Sequence, residues 1–119
     1  MGKVLICDDS AFTLQRHKKM FEALGHEVET VSSGKTAYDK LKAGEKFDLL
    51  VMDLLMPDQD GITALKNIKS LDPDQKVIIV SADIQQSRRD EVMANGGIDL
   101  VNKPLDEEKL KAVMAKVSI

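Results

Sequence analysis

The sequence contains no tryptophan, one tyrosine and three phenylalanines, so aromatics make up 3% of its 119 residues. So few rings leave little with which to sandwich a flavin. The single cysteine, Cys7, excludes an internal disulfide and fits a reducing compartment. No apolar run approaches the roughly 20 residues that span a bilayer, and no charged-then-apolar leader opens the chain. A cytoplasmic location without membrane association is therefore expected. Neither sign of charge dominates: 17 basic and 20 acidic side chains give a net charge of −3. That is not the basic surface a phosphate backbone demands, so no direct nucleic-acid partner is expected. What is present is ordinary for a folded domain, with 43% hydrophobic and 31% charged residues. The length suits one domain over residues 1–119, and no repeat, linker or low-complexity tract divides it.

Short apolar runs alternate with longer segments of helical period. Lys3 to Cys7 reads as a buried strand ending in Asp8-Asp9. Thr13, His17, Met20, Phe21 and Leu24 then recur at helical spacing, and Gly25 stops that helix. Glu27 to Val31 forms a second strand, and Ser32-Ser33-Gly34 opens a helix with Ala37 and Leu41 on one face. Leu49 to Met52 is a third strand, delivering Asp53. After the Pro57–Gly61 loop, Ile62, Leu65, Ile68 and Leu71 make a helical stripe closed by Asp72-Pro73. Val77 to Val80 is a fourth strand, ending at Ser81. A polar helix from Gln86 to Asn95 stops at Gly96-Gly97, and Leu100-Val101 leads to Lys103-Pro104. Asp106 caps a last helix whose inward face is Leu110, Val113, Met114 and Val117. Five strand–helix pairs in strict alternation predict an α/β fold, a doubly wound (βα)5 three-layer sandwich around a parallel sheet.

In such sheets ligands bind beyond the carboxyl ends of the strands. There this chain places Asp8 and Asp9, Asp53, Ser81 and Lys103, drawn from four strands. One polar residue at a strand end means little; four matching ends predict a site. Three carboxylates against one lysine leave two uncompensated negative charges, which a cation would relieve. Magnesium suits one or two carboxylates plus phosphate oxygens, whereas a calcium cage would need more ligands than this rim offers. An aspartate can serve as nucleophile and form an acyl phosphate. The metal, Lys103 and the Ser81 hydroxyl would then face the equatorial oxygens. No general-base triad is evident: His17 is read as a partly buried structural residue and His26 as part of a turn.

Together, Asp8-Asp9, Asp53 within Met52-Asp53-Leu54-Leu55-Met56-Pro57, Asp60-Gly61, Ser81-Ala82 and Lys103-Pro104 closely resemble the receiver domains of bacterial response regulators, over essentially the whole chain. The resemblance supplies the flavodoxin-like strand order 2-1-3-4-5. It implies phosphoryl transfer onto Asp53 from a phosphohistidine of a histidine kinase or a histidine phosphotransfer protein. It further implies magnesium held by Asp8, Asp9, Asp53 and the backbone carbonyl of Leu55, a Lys103–phosphoryl contact, and a cis Lys103–Pro104 bond. Phosphorylation would draw Ser81 inward and shift the face of helix four, strand five and helix five, switching partner binding. Such a module is a signalling domain whose only chemistry is its own phosphotransfer and dephosphorylation. It would act as a stand-alone regulator or a receiver cut from a longer protein, monomeric or weakly dimeric on phosphorylation.

One position departs from the pattern. Many receivers carry Tyr or Phe three residues before the lysine, where this chain has Leu100. Coupling from Ser81 is then weakened or carried by the backbone, or Leu100 is simply packing. Leu55 and Asp83, each two residues past a site residue, are candidate modulators of water access to the acyl phosphate, Leu55 by limiting access and Asp83 by polarity. Plain rim packing is the alternative for both. Phe12 and Leu14, apolar and near the magnesium aspartates, are candidate docking residues for the phosphodonor. The competing function is a magnesium-dependent aspartyl-phosphate phosphohydrolase. Such enzymes usually place an acid two residues after the nucleophile, where this chain has Leu55, and carry a cap over the site, for which the length leaves little room.

Overall fold

The computed structural model describes residues 2–56 and 60–119. Pro57, which closes the Met52-to-Pro57 motif, falls outside the described residues. Along the chain come β1 (Lys3–Cys7), α1 (Ala11–Ala23), β2 (Glu27–Val31), α2 (Gly34–Lys42), β3 (Leu49–Asp53), α3 (Gly61–Leu71), β4 (Val77–Ser81), α4 (Gln86–Ala94), β5 (Asp99–Asn102) and α5 (Glu107–Val117). All strand pairs are parallel, and the order β2-β1-β3-β4-β5 is the expected one.

The two-residue period of the strands divides the core. Leu5 and Cys7 of β1 and Leu50 and Met52 of β3 pack with Ala37, Leu65, Ile68 and Val92 of α2, α3 and α4. Their neighbours Val4, Ile6, Leu49 and Val51 pack with Leu14, Phe21, Leu110, Val113 and Val117 of α1 and α5. Both faces of the sheet are therefore covered, which is why its central strands read as unbroken apolar runs.

Two helix starts, at Ser33 and Asp106, follow the sequence signals, and the structure adds Ser10 and Asp60. The side chains of Ser10, Ser33, Asp60 and Asp106 accept from the backbone N–H three residues on. Helix α4 differs: Gln85 makes no capping bond, and Val92 is its one buried residue. Gly25 adopts φ +89° beyond the end of α1, a conformation L side chains rarely take, which ends the helix where the sequence placed the stop.

Helix faces bring corrections. Leu14, expected to help dock the phosphodonor, is only 9% exposed and belongs to the core. Leu24, expected inside, is 49% exposed, and Leu71 is exposed as well. Met20 and Met114 are half-buried. The inward stripe of α1 runs Leu14, His17, Phe21, rotated from the predicted one so that the Met20–Leu24 edge turns away from the sheet. Several apolar spacings coexist on this helix, and only packing against β1 and β2 selects among them.

Candidate functional site

The site grows from strand register. Cys7 of β1 lies beside Met52 of β3, so the next residues, Asp8 and Asp53, emerge together. Asp53 lies beside Val80 of β4, which puts Ser81 just past it, and Ser81 lies beside Asn102, one residue before Lys103. The Lys103 N–H donates to the Ser81 carbonyl at 2.8 Å, tying the end of β5 to the rim. The peptide bond between Lys103 and Pro104 is cis, as the resemblance implied.

Ligand oxygens of Asp8, Asp9 and Asp53 lie within 4.8 Å of one another. Asp8 and Asp53 are buried and Asp9 is exposed, so one carboxylate faces water while two sit in the protein. The Lys103 Nζ donates to Asp8 Oδ2 at 2.8 Å and stands 3.3 Å from Asp53 Oδ1. Asp8 also accepts the Ser10 N–H at 2.9 Å, at the start of α1. Among the described residues, Asp53 has besides its lysine a long 3.4 Å bond from the Leu55 N–H. Burial, then the charge of Asp8, raises the Asp53 pKa, and Lys103 only partly opposes them. For Lys103 burial acts downward, but the Asp8 hydrogen bond and both carboxylates outweigh it and hold the ammonium charged.

The donor set is hard carboxylate oxygen from three side chains gathered within 4.8 Å, which fits a divalent cation. Ser81 is buried; its Oγ accepts the Asp83 N–H at 3.0 Å, which leaves the hydroxyl proton free to donate. Leu55 is exposed beside the cluster. Asp83 turns the other way: its Oδ1 accepts the Gln85 N–H at 3.2 Å and its Oδ2 lies 3.6 Å from Arg88 Nε. Phe12 is 79% exposed and lines, with Thr13, Arg16, His17, Lys103 and Pro104, a cleft of about 270 Å³ beside the rim. Leu100 is fully buried in the core. His17 is more deeply buried than expected, at 3% exposure, and burial lowers its pKa first of all.

Gly61 is a site residue whose role the sequence pattern did not disclose. A Cβ there would stand 2.6 Å from the Asp53 carbonyl oxygen and 2.8 Å from Leu54 Cα. The start of α3 thus presses against the backbone carrying Asp53. The signal lay in the Asp60-Gly61 pair, where a capping residue is followed by one with no side chain.

The family model described as the response regulator receiver domain matches residues 4–115. The chain belongs to the response regulator receiver domains. This receiver is 38% identical to the chemotaxis protein CheY of Thermotoga maritima, with 99% of each chain covered. It is 36% identical to CheY of Bacillus subtilis, over 96% of this chain and 95% of that one. Among solved structures, the CheX–CheY–BeF3–Mg2+ complex from Borrelia burgdorferi matches with a TM-score of 0.90 and 34% identity, over 95% of this chain and 87% of that one. The receiver is accordingly a CheY-like signalling domain of two-component systems, and its acidic pocket of Asp8, Asp9 and Asp53 fits a phosphoacceptor site. Among the described residues, no helix is long and apolar enough to cross a membrane.

Proposed function

We propose that Asp53 accepts a phosphoryl group from the phosphohistidine of a histidine kinase or histidine phosphotransfer protein, in the cytoplasm and with Mg2+ bound. The observation that carries this reading is the shared lysine. Lys103 spans Asp8 and Asp53, leaving Asp53 buried, short of donors and more basic than an ordinary carboxylate. A carboxylate oxygen of Asp53 attacks phosphorus, the O–P bond forms and the N–P bond breaks, and the leaving imidazole nitrogen keeps the electron pair. Asp8, Asp9, Asp53 and the Leu55 carbonyl would hold Mg2+, which supplies countercharge and orients the phosphoryl oxygens. Lys103 and the Ser81 hydroxyl donate to those oxygens. Water attack on the acyl phosphate ends the signal, with the exposed Leu55 beside its path and Phe12 helping to dock the donor.

Coupling to the α4–β5–α5 face does not require an aromatic rotor. Movement of Ser81 toward the phosphoryl group pulls on the Asp83 N–H, and Asp83 pairs with Arg88 of α4. The adjacent Arg89 holds Asp99 of β5 at 2.8 Å and the Leu100 carbonyl at 3.1 Å. With one buried residue and no side-chain cap, α4 is the helix most easily displaced.

Incubation with Mg2+ and acetyl phosphate or beryllofluoride tests the reading. With acetyl phosphate wild type should gain one phosphoryl group in intact mass and with beryllofluoride it should bind the phosphoryl mimic, whereas Asp53→Ala should do neither. Rapid turnover of a free phosphate ester would overturn it in favour of a hydrolase.

A further inference from the structure

The cleft beside the rim holds two side chains that the acceptor chemistry leaves unused. Arg16 and His17 are consecutive on α1, the first exposed and the second only 3% exposed. Both line the cleft, with Phe12, Thr13, Lys103 and Pro104. Arg16 donates from Nη2 to the Leu105 carbonyl at 3.1 Å, and among the described residues no carboxylate pairs with it. A guanidinium carries several N–H donors, so most of them remain available to a ligand. His17 is the more telling of the two. Buried polar groups are almost always hydrogen-bonded, yet among the described residues nothing bonds to its ring. Burial also favours the neutral imidazole, which keeps one N–H to donate.

The lining has one sign of charge. Arg16 and Lys103 are cations, no acidic residue lines the cleft, and Phe12 and Pro104 supply apolar sides. A volume of about 270 Å³ falls below the roughly 300 Å³ at which pockets for drug-sized ligands begin. The cleft therefore suits a small anion with a short apolar tail. Its position says when such an anion would arise. Lys103 lines the cleft while its Nζ stands 3.3 Å from Asp53 Oδ1, so cleft and acceptor share a side chain. When an acyl phosphate is the donor, the group that parts from phosphorus is a carboxylate of this kind. We propose that Arg16 and His17 form a carboxylate subsite for the acyl end of small acyl phosphate donors, with Phe12 and Pro104 against its alkyl group. This role rests on Asp53 being the acceptor. As the Asp53 oxygen bonds to phosphorus, the bond from phosphorus to the acyl oxygen breaks; that oxygen keeps the electron pair, and no proton moves. Arg16 and the His17 N–H meet the negative charge growing there, which makes them specificity determinants among donors. A leaving imidazole or amine develops no such charge.

Two donors with the same phosphoryl group and different leaving groups test it. Acetyl phosphate releases acetate and phosphoramidate releases ammonia, and each is incubated with the whole chain and Mg2+ while labelling is followed by intact mass. Arg16→Gln should lower the ratio of the acetyl phosphate rate to the phosphoramidate rate roughly tenfold, the loss expected for a charge-assisted hydrogen bond. Arg16→Lys, which keeps the charge without the planar fork, should recover part of that ratio. In NMR spectra of wild type, added acetate should shift the signals of Thr13, Arg16 and His17, and it should inhibit labelling by acetyl phosphate more than labelling by phosphoramidate. An unchanged ratio in Arg16→Gln, or acetate shifts that are absent or fall on another face, would overturn the subsite while leaving Asp53 as acceptor. Acetate binding in the cleft with an unchanged ratio would also overturn it, since the carboxylate would then belong to some other molecule. Labelling of wild type by neither donor would overturn the acceptor reading itself and the subsite with it. Should Arg16→Gln not fold, the acetate measurements on wild type decide alone.

Discussion

Asp53 and Asp99 are both largely buried aspartates on one parallel sheet, each beside a lysine, yet the protein drives them in opposite directions. Asp53 ends β3 and shares Lys103 with Asp8. Asp99 begins β5 and has two cations to itself, Arg89 at 2.8 Å and Lys116, together with the Leu100 N–H at 2.8 Å. Burial pushes both pKa values up. At Asp99 the Lys116 hydrogen bond and the other donors overcome it and the pKa is lowered; at Asp53 the Asp8 charge adds to it and the pKa is raised. A carboxylate supplied with more donors than it needs is structural. One supplied with fewer is available for a metal and a reaction.

The sharpest way to break this contrast is to exchange the roles of the two lysines. Lys103→Ala should slow phosphorylation of Asp53 by roughly 10²–10³-fold, the usual cost of removing one donor from a charge-stabilising site. Lys116→Ala should leave the rate near that of wild type, and acetyl phosphate labelling followed by mass would show both. Equal losses would mean that Lys103 is no more than another ion-pair partner.

Gly61→Ala tests how rigidly Asp53 is held. The added methyl group meets backbone at 2.6 and 2.8 Å, so it should destabilise the fold by about 1–3 kcal/mol in urea unfolding. It should also weaken Mg2+ binding. Asp99→Asn should cost about 1–2 kcal/mol by removing a charge-assisted network, while phosphorylation at Asp53 persists.

Titration gives the subtlest distinction. Below the ordinary carboxylate value of 3.8, Asp53 is protonated folded or unfolded. Above that value and below its raised folded pKa, the folded state keeps a proton that the unfolded chain has released, so stability falls as pH rises through this window. Asp99 works the other way: its contribution is present above 3.8 and is lost as pH falls through its lowered value. Metal-free Asp53→Asn should therefore melt above wild type at neutral pH, with the difference vanishing in acid. Saturating Mg2+ should stabilise wild type more than the variant. A variant that melts lower at neutral pH without metal would show that the Lys103 contact outweighs burial and Asp8.

Much of this molecule was legible along the chain. Unbroken apolar runs such as Leu49 to Met52 mark strands covered on both faces, and their strict alternation with helical periods compels parallel pairing and right-handed crossovers. The acidic and basic residues at the strand ends followed, because parallel strands all deliver their carboxyl ends to one edge. Less visible was which face of α1 turns inward, since Leu14, Leu24, Met20 and Phe21 permit more than one stripe and only the neighbouring sheet chooses.

By itself, then, the order of residues determined the five-stranded parallel sheet, the cluster of Asp8, Asp9, Asp53, Ser81 and Lys103, and the helix starts at Ser33 and Asp106. Those features depend on local period and chain direction, which neighbours in sequence carry. Tertiary structure alone decided that Lys103 is divided between Asp8 and Asp53, that Gly61 abuts the Asp53 backbone, and that Arg16 and His17 share a cleft with Lys103. Each of these depends on distances between segments far apart in the chain, which no local pattern encodes.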